Sequence, residues 1–420
     1  MDSLVLARVH VIDGTGAPPQ RDRQIRIRDG RIEAVEASAS PVPAGARVLD
    51  LAGAYVLPGL IDCHVHLSSD GVSDLEGQLR HGTAPFATLV ALRHAQRTLH
   101  MGFTTVRDAG NQFGVSIDIG RAVDEGLVVG PSVFAAGYAL SITGGHGDRQ
   151  TRFPEEVYRL RLPGVVDGPD EVRKAVRREL RRGAKAIKLM ATGGVMSLGD
   201  SPQARGLTEE EMRVACEEAH NVGVPVLAHA QGTEGIKNAI RAGVDSIDHG
   251  IYLDDEAIDM MLARGVALVP TLTAPRQIVR HADAPSIPPW AVRKAREVAE
   301  AHVASVRRAI ARGVTVAMGT DAGTPFNLHG ENAQELVYLV EAGMTPMQAI
   351  VAATANAARL LRSPAGVVAP GRPADLLAVD RDPLADVAVL TRTERIRLVV
   401  RAGRIVRSGR RPAPEAPPQA

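Results

Sequence analysis

The stretch L-P-G-L-I-D-C-H-V-H, Leu57 to His66, decides how the rest of this 420-residue chain is read. Val56 to Ile61 is a short apolar run interrupted by Pro58-Gly59, and the stretch closes on two histidines one residue apart. Along a β-strand, side chains at i and i+2 leave on the same face, so a strand ending here aims His64 and His66 at one point. Converging imidazoles are the beginning of a metal site. Cys63 lies between them, but its side chain leaves on the opposite face and is not expected as a ligand. H-x-H is a short pattern, and two polar residues at a strand end also have ordinary structural readings. What later strands contribute therefore carries the argument.

Working outward, the chain from Val56 to about Arg362 alternates apolar runs with amphipathic stretches, the pattern of parallel strands joined by crossover helices. Eight strands are predicted: Val56 to His66, Thr104 to Asp108, Ser132 to Ala136, Ala186 to Met190, Val224 to His229, Ser246 to His249, Ala267 to Pro270 and Thr315 to Asp321. Pro169 to Arg182 and Thr208 to Val222 read as helices between them, the second opening with a T-E-E-E cap. Eight such units fit an α/β fold of the (β/α)8 TIM-barrel type, where chemistry sits at the strand C-termini. A doubly wound sheet is the alternative, but no glycine-rich phosphate loop follows an early strand.

The ends of the chain differ in texture. Ser3 to Tyr55 reads as short strands with an Asp29-Gly30 hairpin turn, and similar strands return at Ala374 to Asp380 and Arg395 to Val406. The predicted domains are a small discontinuous β-sandwich from 1–55 plus 364–410, a barrel over 56–363, and a disordered Pro-rich tail at 411–420.

Polar residues then close the barrel strands: His64 and His66 on the first, Lys188 in the fourth, His229 on the fifth, His249 on the sixth and Asp321 on the eighth. Singly, each has a plain reading: Asp321 as a helix cap, His229 as a core histidine, Lys188 as a rim lysine with a buried stem. Jointly those readings weaken, because chance does not readily put such residues on five strand ends of one barrel. Lys188 is the most telling, since an ammonium among Ile187 and Leu189 in an interior strand is costly unless paired or chemically altered.

Composition excludes other classes. Lys plus Arg (49) balance Asp plus Glu (48) and aromatics make up 3%, so there is neither a bulk field nor a stacking platform for nucleic acid. Two cysteines are too few for a disulfide framework, and no leader-like or membrane-spanning apolar run is seen, so a cytoplasmic chain with no membrane partner is expected.

These residues, with P-G-L-I-D-x-H-x-H and G-R-P-A-D-L-L-A-V-D at 371–380, resemble the amidohydrolase superfamily, in its binuclear-metal subtype with a carboxylated lysine. F-T-T-V-R-D-A-G at 103–110, G-G-H-G-D at 144–148 and K-L-M-A-T-G-G-V at 188–195 narrow the likeness to the imidazolonepropionase-related group of Xaa-Pro dipeptidases, zinc carboxypeptidases and ochratoxin-type amidases. The resemblance implies a homo-oligomeric hydrolase of carbon–nitrogen bonds with two divalent metals, zinc suiting the donors best. His64, His66 and Asp321 would hold one metal and His229 and His249 the other, with a CO2-derived carbamate on Lys188 bridging them. A bridging hydroxide would be the nucleophile, with Asp321 as catalytic general base.

His146, in the glycine-rich loop after the third strand, is a catalytic and substrate-binding candidate that can donate to the scissile carbonyl or a substrate carboxylate, and Tyr252 is a second substrate contact. Arg107 and Arg152 are further candidates for that carboxylate. The expected substrate is an amide or peptide next to a C-terminal or N-acylated amino acid, ochratoxin-type amides included. Alternatives are a cyclic-amide hydrolase like imidazolonepropionase and a non-catalytic scaffold of the same shape. A mononuclear deaminase is disfavoured, because it would carry an acid where this chain has Gly232.

Overall fold

The computed structural model describes residues 3–71, 82–148 and 164–409; Arg152 and the tail 411–420 lie outside them. Among the described residues fourteen strands run in chain order as β1 (Ser3–Val11), β2 (Gln20–Arg28), β3 (Arg31–Ala37), β4 (Arg47–Pro58), β5 (Leu60–Val65), β6 (Phe103–Asp108), β7 (Ser132–Ala135), β8 (Ile187–Met190), β9 (Val226–Ala230), β10 (Ser246–His249), β11 (Ala267–Val269), β12 (Leu376–Val379), β13 (Ile396–Arg401) and β14 (Arg404–Ser408).

The two ends of the chain build one seven-stranded sheet, ordered β14-β13-β12-β4-β1-β2-β3. Its hairpin between β2 and β3 turns on Asp29 (φ 49°) and Gly30 (φ 79°), the paired positive dihedrals that a tight Asp-Gly turn supplies. The sheet curls until β3 meets the residues leading into β12, through a bridge from Arg31 to Pro373 and a 2.9 Å bond from Ile32 N to Arg372 O. This curled sheet encloses a core of Leu6, Val9, Ile25, Ile27, Val56, Leu376, Leu398 and Val400.

Parallel strands β5-β6-β7 and β8-β9-β10-β11 form two further sheets around the main apolar core. Leu140, just past β7, bridges to Leu189 of β8. The predicted eighth strand is not a regular strand. Residues 315–322 instead bond to both neighbours: Leu268 N to Thr315 O (2.9 Å) on one side, and Cys63 N to Met318 O (2.8 Å) and His66 N to Ala322 O (2.8 Å) on the other. The left-handed Asp321 (φ 62°) lies within this run, a conformation incompatible with a strand ladder.

The predicted first barrel strand divides at Gly59. Val56–Pro58 pair with β1 and β12 in the terminal sheet, and the barrel begins at Leu60. A Cβ on Gly59 would lie 2.1 Å from Thr104 Oγ1, so only glycine lets the chain cross between sheets here. Among the helices, Pro169–Arg182 appears as read, and Glu209–His220 starts on a Thr208–Glu211 capping box. No helix among the described residues is long and apolar enough to cross a membrane.

Candidate metal centre

The C-terminal ends of these strands open into one cavity whose lining includes His64, His66, Lys188, His229, His249 and Asp321. His64 stays inside β5 and His66 lies just past its end, so the period of two delivers both imidazoles to the same carboxylate. Asp321 Oδ1 is 3.5 Å from His64 Nε2 and 3.2 Å from His66 Nε2, and the three ligand atoms all lie within 4.8 Å of one another. His249 joins the set through ring centroids 5.1 Å from His64 and 4.6 Å from His229. His249 (φ 76°) and Asp321 (φ 62°) are both non-glycine residues in the left-handed region. Strain of this kind is held where the surroundings over-determine it; for His249 those surroundings include His302, whose Nε2 donates to its carbonyl at 3.0 Å.

Each of the four imidazoles has one nitrogen already committed. His64 Nδ1 meets Asp248 Oδ2 at 2.7 Å, His66 Nδ1 meets Gly110 O at 2.6 Å, and His229 Nε2 meets Gly193 O at 3.0 Å. His249 Nδ1 meets Thr271 Oγ1 at 2.7 Å, and that hydroxyl donates to Pro270 O. All four partners accept, so every ring must donate to them. Each neutral ring then keeps one lone-pair nitrogen, Nε2 in His64, His66 and His249 and Nδ1 in His229. This arrangement of imidazoles and a carboxylate fits a divalent ion.

The electrostatics agree for three of the rings; at His66 burial lowers the pKa but is outweighed by Asp321, which raises it. Burial, reinforced by Lys188, pushes the His64 pKa down to about 4, and burial holds His229 and His249 well below the ordinary value. These rings are neutral near pH 7, as ligands must be. Burial opposes the Asp321 carboxylate, but His64 and His66 beside it keep its pKa below the usual value. Lys188 is buried on the cavity wall, and burial brings its pKa down to about 8 against the pull of Asp248 and Asp321. It makes no hydrogen bond or ion pair among the described residues, so a bare ammonium here has only the non-contacting charges of Asp248 and Asp321 to offset its burial.

The remaining candidates are distributed differently. His146 lines the cavity and stacks on His229 with centroids 4.1 Å apart. Tyr252 does not line it: its neighbour Ile251 does, while Tyr252 packs against an apolar cluster with Val195 and Ile278. Arg107 is not placed to meet a substrate carboxylate, because it is fully buried and donates to both Asp248 oxygens at 3.1 Å and to Cys63 O at 2.5 Å. Cys63 itself is buried away from the ligands, its thiol pushed up to about 12 by burial. Sequence reasoning missed Asp248, although Ser246 and Asp248 at i and i+2 on an apolar strand were a readable signal of one buried polar face. The carbonyls of Gly110 and Gly193 had no such signal, since any residue offers one.

Comparison with known proteins places this geometry. The Amidohydrolase family matches residues 55–406. Ochratoxinase of Aspergillus niger is 35% identical over 370 residues, covering 83% of this chain and 75% of that protein. The solved structure of a Xaa-Pro dipeptidase with methionine bound in its active site superimposes with a TM-score of 0.91 at 36% identity, covering 96% of this chain and 99% of the other. Imidazolonepropionase of Salinispora arenicola is more distant, 26% identical over 394 residues, with 87% of this chain and 88% of that protein covered. With a family match spanning most of its length and a histidine–carboxylate cluster at its strand ends, the chain belongs to the amidohydrolase family and is a hydrolase acting on carbon–nitrogen bonds.

Proposed function

We propose that the chain is a binuclear metal-dependent amidohydrolase cleaving the amide or peptide bond beside a C-terminal or N-acylated amino acid. The observation that carries this reading is the set of four imidazoles, each tied down through one nitrogen, around Asp321 and the unpaired Lys188. His64, His66 and Asp321 would hold one ion, His229 and His249 the other, and Lys188 as a carbamate would serve both. Two such ions, zinc suiting the donors best, would supply a polarised scissile carbonyl and a water of lowered pKa. Asp321 accepts the proton of the attacking water and returns it to the departing amine. His146, on the cavity wall, orients the substrate. The likeness to ochratoxinase and to a Xaa-Pro dipeptidase supports linear amides next to an amino acid. Imidazolonepropionase chemistry has weaker support, because the identity is lower and because Lys188 on the cavity wall suits the carbamate reading better.

Two experiments test this. Purified protein should carry about two metal equivalents. Lys188→Ala should lose most activity and much of the metal, with partial recovery in acetate or propionate, which supply two oxygens to the vacated space. Lys188→Arg keeps the charge but cannot add CO2. A fully active Lys188→Arg protein with two metals would remove the carbamate from the mechanism. Separately, a dipeptide and N-acyl amino acid panel should show hydrolysis that requires a free carboxylate on the released amino acid. Equal rates on the carboxamides would move the substrate class away from amino-acid amides.

A further inference from the structure

Gln231 stands on the cavity wall one residue past β9 and two beyond His229, so the period of two turns its side chain to the same face as that ring. Its backbone is fully engaged. The N–H donates to Thr192 Oγ1 at 3.0 Å, that hydroxyl donates to Gly193 O at 2.7 Å, and the carbonyl accepts from Tyr252 N at 2.9 Å. On the next residue, a Cβ at Gly232 would come 2.8 Å from Pro202 O, so the chain has little room to shift here. The side chain is treated differently. It is 5% exposed, yet its carboxamide makes no hydrogen bond among the described residues. Oε1 is fully enclosed without a donor, whereas Nε2, equally without a partner, is not enclosed. Val195, Ile251 and Ile278 line the same cavity, and their apolar side chains supply no partner either.

An unpaired carboxamide in such a place costs stability, and a methionine or leucine of similar size would fill the space without that cost. What only the carboxamide can do there is hydrogen-bond to a ligand in the cavity. We propose that Gln231 is a substrate-binding residue whose Nε2 donates to an acceptor oxygen of the substrate, on the side of the cavity next to His229. The proposal rests on the reading of the cavity as an amide-hydrolysing site and adds a contact to it. Arg107 is spent on Asp248 and Tyr252 packs in an apolar cluster, so Gln231 supplies a donor that those two do not. The oxygen is either the carboxylate of the amino acid that leaves or a carbonyl of the acyl part. A neutral donor suits both, since it orients an oxygen without adding a fixed positive charge beside the metal ligands. A site built on such a bond rejects an otherwise identical substrate that lacks the oxygen.

The test pairs stability with kinetics. Gln231→Met keeps the size of the side chain and removes both hydrogen-bonding atoms. Without substrate, its melting temperature should equal or exceed the parent's, because an unpaired polar group has gone, and its metal content should match. On the substrate that the parent hydrolyses fastest, KM should rise about tenfold, or towards about a hundredfold if the acceptor is a carboxylate, with kcat nearly unchanged. Gln231→Leu should show the same loss. Product inhibition separates the two sources of the oxygen. Weaker inhibition by the released amino acid assigns it to that carboxylate, and weaker inhibition by the acyl fragment assigns it to the acyl part. A Gln231→Met protein that melts clearly below the parent gives the carboxamide a structural role and overturns the proposal. A KM within about threefold of the parent's, the scale of no lost hydrogen bond, overturns it as well. If the parent hydrolyses no amino-acid amide, the proposed function falls instead, and the melting comparison still decides whether the carboxamide serves the fold or a ligand.

Discussion

Asp248 connects the surface of the candidate centre to the charge beneath it. It accepts from His64 Nδ1 on one side and from the buried guanidinium of Arg107 on the other, and Ser246 Oγ donates to it at 2.8 Å. Burial opposes its charge, but Arg107 and His64 hold its pKa well below the ordinary carboxylate value. A carboxylate in that position fixes the His64 tautomer and raises its basicity as a ligand. Asp248→Asn is therefore expected to weaken metal binding by about 10- to 100-fold, read by chelator competition, with near-parent secondary structure. Unchanged affinity would mean that His64 needs no such support. This residue also marks how far sequence carries. The six ligand candidates were legible because strand ends and a period of two predict where side chains gather. Asp248 was less so, because its partner Arg107 lies 141 residues away and pairing across a barrel leaves no local pattern.

Among the elements, the passage from β4 to β5 sets the register of the histidine strand. Gly59 fits there only because it has no side chain, with Thr104 Oγ1, Cγ2 and Cβ all within 2.7 Å of where a Cβ would stand. Gly59→Ala should lower stability by about 1–3 kcal/mol, the scale of overpacking in a rigid interior, measured as a shift in denaturant midpoint. Thr104→Ala in the same chain should recover part of the loss, since two of the three crowding atoms disappear. The helix Glu209–His220 offers a milder case. Its cap places Thr208 Oγ1 3.3 Å from Glu211 N while Glu211 Oε2 accepts from Thr208 N at 2.7 Å. Thr208→Ala should cost about 1 kcal/mol and leave metal content alone. This cap was readable from T-E-E-E. The split at Gly59 was not, because one apolar run, Val56 to Ile61, serves two sheets and changes partners without changing composition. The eighth segment was missed as a non-strand for a related reason: M-G-T-D has strand-like neighbours, and only the left-handed Asp321 reveals that its backbone turns.

For the molecule as a whole, the ligand candidates come from β5, β8, β9, β10 and the eighth segment, so any ion held among them ties distant parts of the barrel together. A ligand that binds only the folded state stabilises it by about 2.7 kcal/mol at a hundredfold excess over its dissociation constant. Chelation should lower the melting temperature, and adding zinc back should restore it. A melting temperature indifferent to both would argue against metal at this site. The fold class was legible at this scale from the alternation of apolar runs and helices. The curling of the terminal strands into a single sheet was not, since it depends on Arg31 and Ile32 meeting residues 372 and 373, far along the chain.

The place of β4 between β1 and β12 has a consequence for synthesis on the ribosome. The strand that feeds His64 and His66 into the barrel is translated well before one of its two neighbours, which begins only at Leu376. Until Leu376 to Val379 have emerged, the edge carrying Val56 and Leu57 has no partner, and such edges invite pairing with other nascent chains. Maturation of that strand is thereby timed by residues far along the chain, and the growing chain depends on being shielded along that edge until they arrive.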